Sequence, residues 1–135
     1  MLDIFRLGRV YQPEGIVFWK SLIHGQGVFA EKGFKARDTV EIAPLILLSK
    51  GEREALRATL LFNYYFIIGP EEGGVAVGLG YSSLYNHSYS ANAIYSISEK
   101  RALITIRAFR DILPGEEITL NYNGEPDDLS PVYFP

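Results

Sequence analysis

Not one of the 135 residues is cysteine, which removes disulfides, thiolate zinc sites and a cysteine nucleophile together. Such a chain suits a reducing cytosol and an oxidising exterior alike, so cytosol is only the default expectation. No charge of either sign dominates. Thirteen Lys+Arg against 16 Asp+Glu leave a formal net charge of −3 and a pI near 5.4, so no field gathers phosphates and nucleic acid is not an expected partner. Long apolar runs are missing too. The longest, residues 43–48, falls far short of the ~20 that a bilayer span needs. The first ten residues carry an acid at Asp3 and no apolar run with a small-residue cleavage site. Neither a membrane span nor a signal peptide is expected. There is no internal repeat and no low-complexity tract. At this length one core can bury about two thirds of the surface an unfolded chain exposes, so a single domain over 1–135 is expected.

What is abundant is punctuation and aromatic bulk: 13 Gly, 7 Pro, 9 Tyr and 8 Phe cut the chain into short pieces, a pattern that favours strands. Residues 15–20 and 27–31 read as strands about a glycine turn. Residues 38–42 alternate polar and apolar until Pro44 interrupts them. One helix is expected, opening on Ser49 and Glu52 as a capping box, with Leu56 and Leu60 beside Ala55, Ala58 and Leu61 as an apolar face that fades near Asn63. Residues 69–74 read as a loop and 75–79 as a short strand. Residues 93–98 and 102–107 should pair as a hairpin about Glu99-Lys100-Arg101. A turn over 111–116 precedes the strand 117–122. The tail 124–131 is too polar and proline-rich for regular structure, yet Val132, Tyr133 and Phe134 end it with apolar bulk suited to docking.

Taken singly, the candidate chemistry is weak. Gly25-Gln26-Gly27 followed by Ala30 satisfies a dinucleotide-binding pattern, but that pattern needs a helix N-terminus at the pyrophosphate and the next run is strand-like. His24 and His87 lie far apart with no cysteine to join, so no metal site is expected. His87 and Ser88 are neighbours on a strand-like run and point to opposite faces, without a nucleophile elbow. Glu116-Glu117 and Asp127-Asp128 read as solvated turn and tail carboxylates. The cluster from Asn86 to Asn92 reads as a loop whose side chains bond their own backbone. Tyr122, ending an apolar strand, reads by itself as a core tyrosine.

The order of these pieces carries more than any one of them. Gly25-x-Gly27 with Val28-Phe29-Ala30, then Asn86-His87-Ser88 with Asn92 beyond, then Gly115-Glu-Glu-Ile-Thr-x-x-Tyr122 resembles the SET-domain protein lysine methyltransferases, in their minimal viral or bacterial form without cysteine-rich zinc modules. The likeness runs from about Ile16 to Tyr122. It implies a mainly β fold with one short helix, built of small curled sheets with a C-terminal pseudoknot, a core of about 16–122 and a short tail over 123–135. It implies S-adenosylmethionine as cofactor and a protein or peptide lysine as substrate, entering from opposite faces. Carried over by position, Gly25 and Gly27 let backbone approach the cofactor around Gln26, while Asn86 and His87 hold its amino acid portion and adenine. Asn92 braces the knot. Tyr122 stands beside the transferred methyl as the catalytic tyrosine. Tyr133 and Phe134 are left to cover the adenine, and Tyr64, Tyr65, Phe66, Tyr81 or Tyr85 to sheath the lysine stem. The family often has cysteine where Tyr89 stands, proline at Ala91 and aspartate at Asn121.

Methyl transfer from a sulfonium to an amine is an in-line displacement, so alignment and exclusion of water are the enzyme's main tasks. At an ordinary pKa near 10, about one tyrosine in a thousand is ionised at pH 7. Tyr122 therefore suits an orienting hydrogen bond better than a standing base. Histone is a compatible substrate by family analogy, and monomer and homodimer are equally compatible with the sequence. Two other readings stay open at this level: a SET fold without catalysis that serves as an interaction module, and an unrelated small β-barrel that binds a ligand.

Overall fold

A computed structural model describes residue 10 and residues 12–69 and 73–132. Short strands dominate, as the spacing of glycine and proline predicts. Strands β1 (Ile16–Lys20) and β2 (Gln26–Ala30) form a hairpin about the 21–25 turn. With β6 (Asn86–His87) and β9 (Glu117–Leu120) they make a four-stranded sheet in the order β1-β2-β9-β6. The second sheet, in the order β4-β5-β3-β8-β7, holds β3 (Thr39–Leu48), β4 (Tyr65–Ile67), β5 (Val75–Gly78), β7 (Ala93–Ser98) and β8 (Leu103–Ala108). Every pairing is antiparallel except β6 with β9. No helix among the described residues is long and apolar enough to cross a membrane.

The core lies where the two sheets curl together. Alternation along β8 sends Ile104, Ile106 and Ala108 inward, and Ile118 and Leu120 of β9 and Val28 of β2 meet them there. Burying a side chain of that size is worth about 1.5–3 kcal/mol. In β3 the simple alternation fails. A register shift between Thr39 and Glu41 inserts Val40 as an extra residue, so Val40 and Glu41 are both buried and Ala43 and Leu45 follow them inward. The bulge moves the following residues to the opposite face. That is why a glutamate lies in the core. Burial raises the Glu41 pKa, opposed by hydrogen bonds from the Tyr81 amide and the Tyr85 hydroxyl.

Pro44 does not interrupt β3. It pairs with Leu103 at one end of the β8 ladder, and the β5 ladder begins at Leu45. The Leu79 carbonyl, opposite the missing Pro44 N–H, is taken by the Ser82 amide and hydroxyl instead, so the proline orphans no acceptor. The helix is shorter than its periodicity predicts. Helix α1 (Lys50–Leu56) opens with the expected capping box of Ser49 and Glu52, but the extended Thr59, φ −121° and ψ 160°, breaks it before a 3-10 turn at Leu60–Asn63. None of these residues is buried. An apolar face with no surface to cover supplies little of the packing that sustains helices.

Asn92 ties the sheets to the C-terminal strand. Its Nδ2 donates to the Glu117 carbonyl at 2.8 Å and its Oδ1 accepts from the Thr119 amide at 2.9 Å, bracketing β9 beside its parallel partner β6. Asn92 thus fastens the end of the 88–92 loop to the backbone of β9. Past β9, Asn121 donates to the carbonyls of Pro126 and Asp128, and Asn123 to that of Ser130. Tyr89 donates to the Ser130 carbonyl and accepts from the Val132 amide. The tail is therefore docked through side chains on its own carbonyls, without regular structure. Tyr133 and Phe134 lie outside the described residues.

Candidate active site

Three stretches far apart in sequence meet at the end of β9. The turn after β1 brings Gly25 and Gln26, the run into β6 brings Ser83, Leu84 and Asn86, and the chain leaving β9 delivers Tyr122. Two cavities flank this tyrosine. One, of about 320 Å³, is walled by Tyr64, Tyr65, Phe66, Tyr95 and Tyr122. The other, of about 210 Å³, is bounded by Phe18, His24, Gly25, Gln26, Leu84 and Asn86. Asn63, Tyr64, Ser83 and Tyr122 line both, so Tyr122 and Tyr64 stand in the partition.

Tyr122 is held at two points. Its amide donates to His87 Nδ1 at 3.1 Å, and its hydroxyl donates to the Tyr85 carbonyl at 2.5 Å. With the proton so committed, any further hydrogen bond at this oxygen is one that it accepts. Burial pushes the hydroxyl pKa up to about 12, with Tyr64 and Glu117 adding electrostatic pressure, so it stays neutral at assay pH. His87 accepts through Nδ1, which puts its own proton on Nε2. Burial lowers its pKa and favours that neutral form.

Asn86 is buried at the edge of the smaller cavity, its Nδ2 facing the carbonyls of His24 and Gln26 at 3.0 Å each and Glu117 Oε1 at 2.7 Å. Gly25 has a positive φ of 49° and nothing within 4 Å of where a Cβ would sit. Its backbone is thus open to a ligand. Gly27 differs: it is outside the lining, and a Cβ there would collide with the Glu117 carboxylate and lie 2.9 Å from Asn86 Nδ2.

The aromatic candidates divide in the same way. Tyr64, Tyr65 and Phe66 wall the larger cavity, with Phe66 packed on Tyr95 at 4.9 Å between ring centroids. Tyr85 borders it while only 1% exposed, its hydroxyl turned onto Glu41 Oε1 at 2.8 Å; desolvation holds that hydroxyl well above its ordinary pKa, with the Glu41 charge and bond adding to it. Tyr81 lines neither cavity and stacks on Phe18 at 6.3 Å. His87 also lines neither, its ring lying between those of Tyr89 and Tyr122 at 4.5 and 5.2 Å. Asn92 braces β9 from behind.

Sequence reading missed Asn63, Ser83, Tyr95 and Asn123 of the lining, and Glu117 with Ser21 behind it. For Tyr95 a signal existed, because it alternates with the buried Ala93 on the core face of the hairpin. For Glu117 one existed too: Glu117, Thr119 and Asn121 are polar at period two in a strand that is otherwise core.

The family model described as the SET domain matches residues 25–123, which spans the glycine turn through Tyr122. A protein of Schizosaccharomyces pombe (strain 972 / ATCC 24843), named histone-lysine N-methyltransferase, H3 lysine-37 specific, is 31% identical over 99 residues, 73% of this chain and 66% of that protein. The chain thus spans just under two thirds of that relative's length. The crystal structure of a Plasmodium falciparum candidate histone methyltransferase superposes with a TM-score of 0.64 at 28% identity, covering 82% of this chain and 98% of that one. A humanized mutant of the Chaetomium thermophilum Polycomb Repressive Complex 2, bound to an inhibitor, gives a TM-score of 0.64 at 27% identity, covering 82% of this chain and 15% of that one. On the family match and the shared fold, this chain belongs to the SET-domain family.

Proposed function

We propose that the protein is an S-adenosylmethionine-dependent lysine N-methyltransferase acting on a protein substrate, with histone H3 as the first substrate class to test. The single observation that carries the reading is the pair of cavities meeting at Tyr122 and Tyr64. A bimolecular displacement needs two reactants brought nose to nose, and two pockets with one shared wall supply that arrangement. On this reading residues 16–122 are the catalytic core and the segment from 123 a tail docked against it. A histone substrate implies work at chromatin, in place of the cytosolic default.

The residues present fit the cofactor. Gly25 and Gln26 offer unhindered backbone, Asn86 a fixed polar side chain for the amino acid portion, and Phe18 and Leu84 apolar surface for the adenine. When bound, S-adenosylmethionine supplies an electrophilic methyl on a sulfonium. Tyr64, Tyr65, Phe66 and Tyr95 sheath the aliphatic stem of the lysine and exclude water, leaving its nitrogen at the partition. Tyr122 donates to the Tyr85 carbonyl and accepts from the amine through its oxygen, which directs the nitrogen lone pair toward the smaller cavity. Its raised pKa excludes it as a standing base, so the lysine sheds its proton to water before transfer. His87 and Asn92 act through the backbone of Tyr122 and β9.

Calorimetric titration with S-adenosylmethionine, beside radiolabelled methyl transfer to histone H3, tests the reading. The expected result is saturable binding that Asn86→Ala weakens at least tenfold, and label on lysine. Absence of binding at millimolar cofactor would overturn it.

A further inference from the structure

Glu116 and Glu117 are adjacent and look alike in the sequence, yet the structure sends them to opposite tasks. Glu116 closes a turn, accepting from the Leu113 amide at 2.6 Å and Arg110 Nη2 at 3.1 Å. Glu117 turns into the seam between β2 and β6. The Ser21 hydroxyl lies 2.9 and 2.8 Å from its two oxygens, and Asn86 Nδ2 donates to Oε1 at 2.7 Å. Ser21 is itself engaged on the other side, its oxygen accepting from the amides of Ile23 at 2.9 Å and His24 at 3.2 Å. One carboxylate therefore joins the 21–25 turn, β6 and β9.

The geometry at Asn86 gives this hub its consequence. A primary amide has two N–H donors and one carbonyl acceptor. Both donors are committed among three acceptors, the carbonyls of His24 and Gln26 and the Glu117 carboxylate. The amide cannot flip without aiming its oxygen at all three. Oδ1 is thereby held on the opposite side of the amide as the group that can accept. Gly27 points the same way, because any Cβ there would displace the Glu117 carboxylate. That glycine is required by the carboxylate rather than by a ligand.

We propose that Glu117 is a positioning residue of the smaller cavity: its carboxylate, steadied by Ser21, locks the Asn86 amide so that Oδ1 accepts from the α-ammonium of S-adenosylmethionine. This rests on the methyltransferase reading above. A wrongly flipped amide would present N–H donors to a cation, so the lock matters most for that part of the cofactor and little for the rest. Charge-assisted hydrogen bonds are the strong ones, and the Glu117 bond to Nδ2 is the shortest of the three.

The test uses the full chain and calorimetry with two ligands, S-adenosylmethionine and 5′-methylthioadenosine, which lacks the amino acid portion. Glu117→Ala is expected to raise the Kd for S-adenosylmethionine at least tenfold while leaving that for 5′-methylthioadenosine within threefold of wild type. Glu117→Gln, which keeps an oxygen facing Asn86, should recover most of the loss. Should Glu117→Ala fail to fold, Ser21→Ala carries the same expectation at about threefold. Equal losses for both ligands would make Glu117 a merely structural residue and overturn the proposal, as would unchanged affinity for S-adenosylmethionine. A wild type that binds neither ligand overturns the methyltransferase reading itself, an outcome distinct from the other two.

Discussion

Replacing Tyr122 by phenylalanine removes one oxygen and should separate catalysis from folding. The ring stays beside His87, and the amide bond to His87 Nδ1 and the β9 pairings are untouched. What disappears is the hydroxyl bond to the Tyr85 carbonyl and the acceptor facing the partition. A hydrogen bond of this kind contributes about 1 kcal/mol net, which for a domain of this size moves the midpoint by roughly 3–5 °C. Loss of one contact made in the transition state costs about 10²–10³ in turnover, or ~2.7–4 kcal/mol. The catalytic effect therefore exceeds the structural one clearly enough to be told apart. Because the hydroxyl pKa is about 12, only about one molecule in 10⁴ is ionised at pH 8. The variant should keep the acid limb of the wild-type pH–rate profile and merely lower its plateau. Steady-state turnover, cofactor titration and a melting curve on the same preparation decide it. Turnover within threefold of wild type would refute the assignment, and a tenfold loss of cofactor affinity would reassign Tyr122 to binding.

Three further outcomes are expected. Asn92→Ala should lower stability by about 2–4 kcal/mol, because the Thr119 amide and Glu117 carbonyl lose their partner in a buried place; a melting midpoint within 2 °C of wild type would remove Asn92 as the brace of β9. His87 has its folded pKa lowered below 6.5, so the unfolded chain binds the extra proton first, and stability is full above 6.5 and falls as pH drops toward the folded value. His87→Asn, whose oxygen can accept from the Tyr122 amide, should flatten that slope in melting curves between pH 7 and pH 5, and an unchanged slope would assign it elsewhere. Tyr89→Phe should leave the fold intact while releasing the tail, read as faster hydrogen exchange at the Val132 amide; unaltered exchange would mean that Asn121 and Asn123 hold the tail alone.

Much of the architecture was legible because it is local. Period-two alternation in 93–98 and 102–107, with charged residues between, specifies a hairpin without outside help. Ser49 and Glu52 declare a helix start by satisfying each other's backbone. The helix end was not legible, since Leu56, Leu60 and Leu61 repeat as an amphipathic face should, and only the absence of a surface to cover them shows that Leu60 and Leu61 stay exposed and Leu56 is only half-buried. The Val40 bulge was hidden for a related reason. A glutamate in an alternating run reads as solvent-facing until a bulge reverses the faces and two distant tyrosine groups, the Tyr81 amide and the Tyr85 hydroxyl, reach its carboxylate. β6 is two residues long and exists through its pairing with Thr119 and Leu120, some thirty positions away. No local signal encodes that.

The site divides along the same line. Its outer members, Gly25, Asn86 and Tyr122, are visible because their order along the chain resembles a family. Their geometry is fixed by groups that a motif does not name: the Tyr85 carbonyl under the Tyr122 hydroxyl, His87 Nδ1 under its amide, and the Glu117 carboxylate behind Asn86. Each of these reaches across 31 or more positions, so none leaves a periodic trace. Gly27 makes the point most sharply. In the sequence it belongs with Gly25 as backbone cleared for a cofactor, whereas in the fold the two serve different masters. Gly25 is open to the cavity, and Gly27 is cleared for a carboxylate. Gly27→Ala and Glu117→Ala should therefore weaken binding through the same lost contact to Asn86, and the double variant should cost little more than either single one. Gly25→Ala acts on a separate surface, and its effect should add to that of Glu117→Ala.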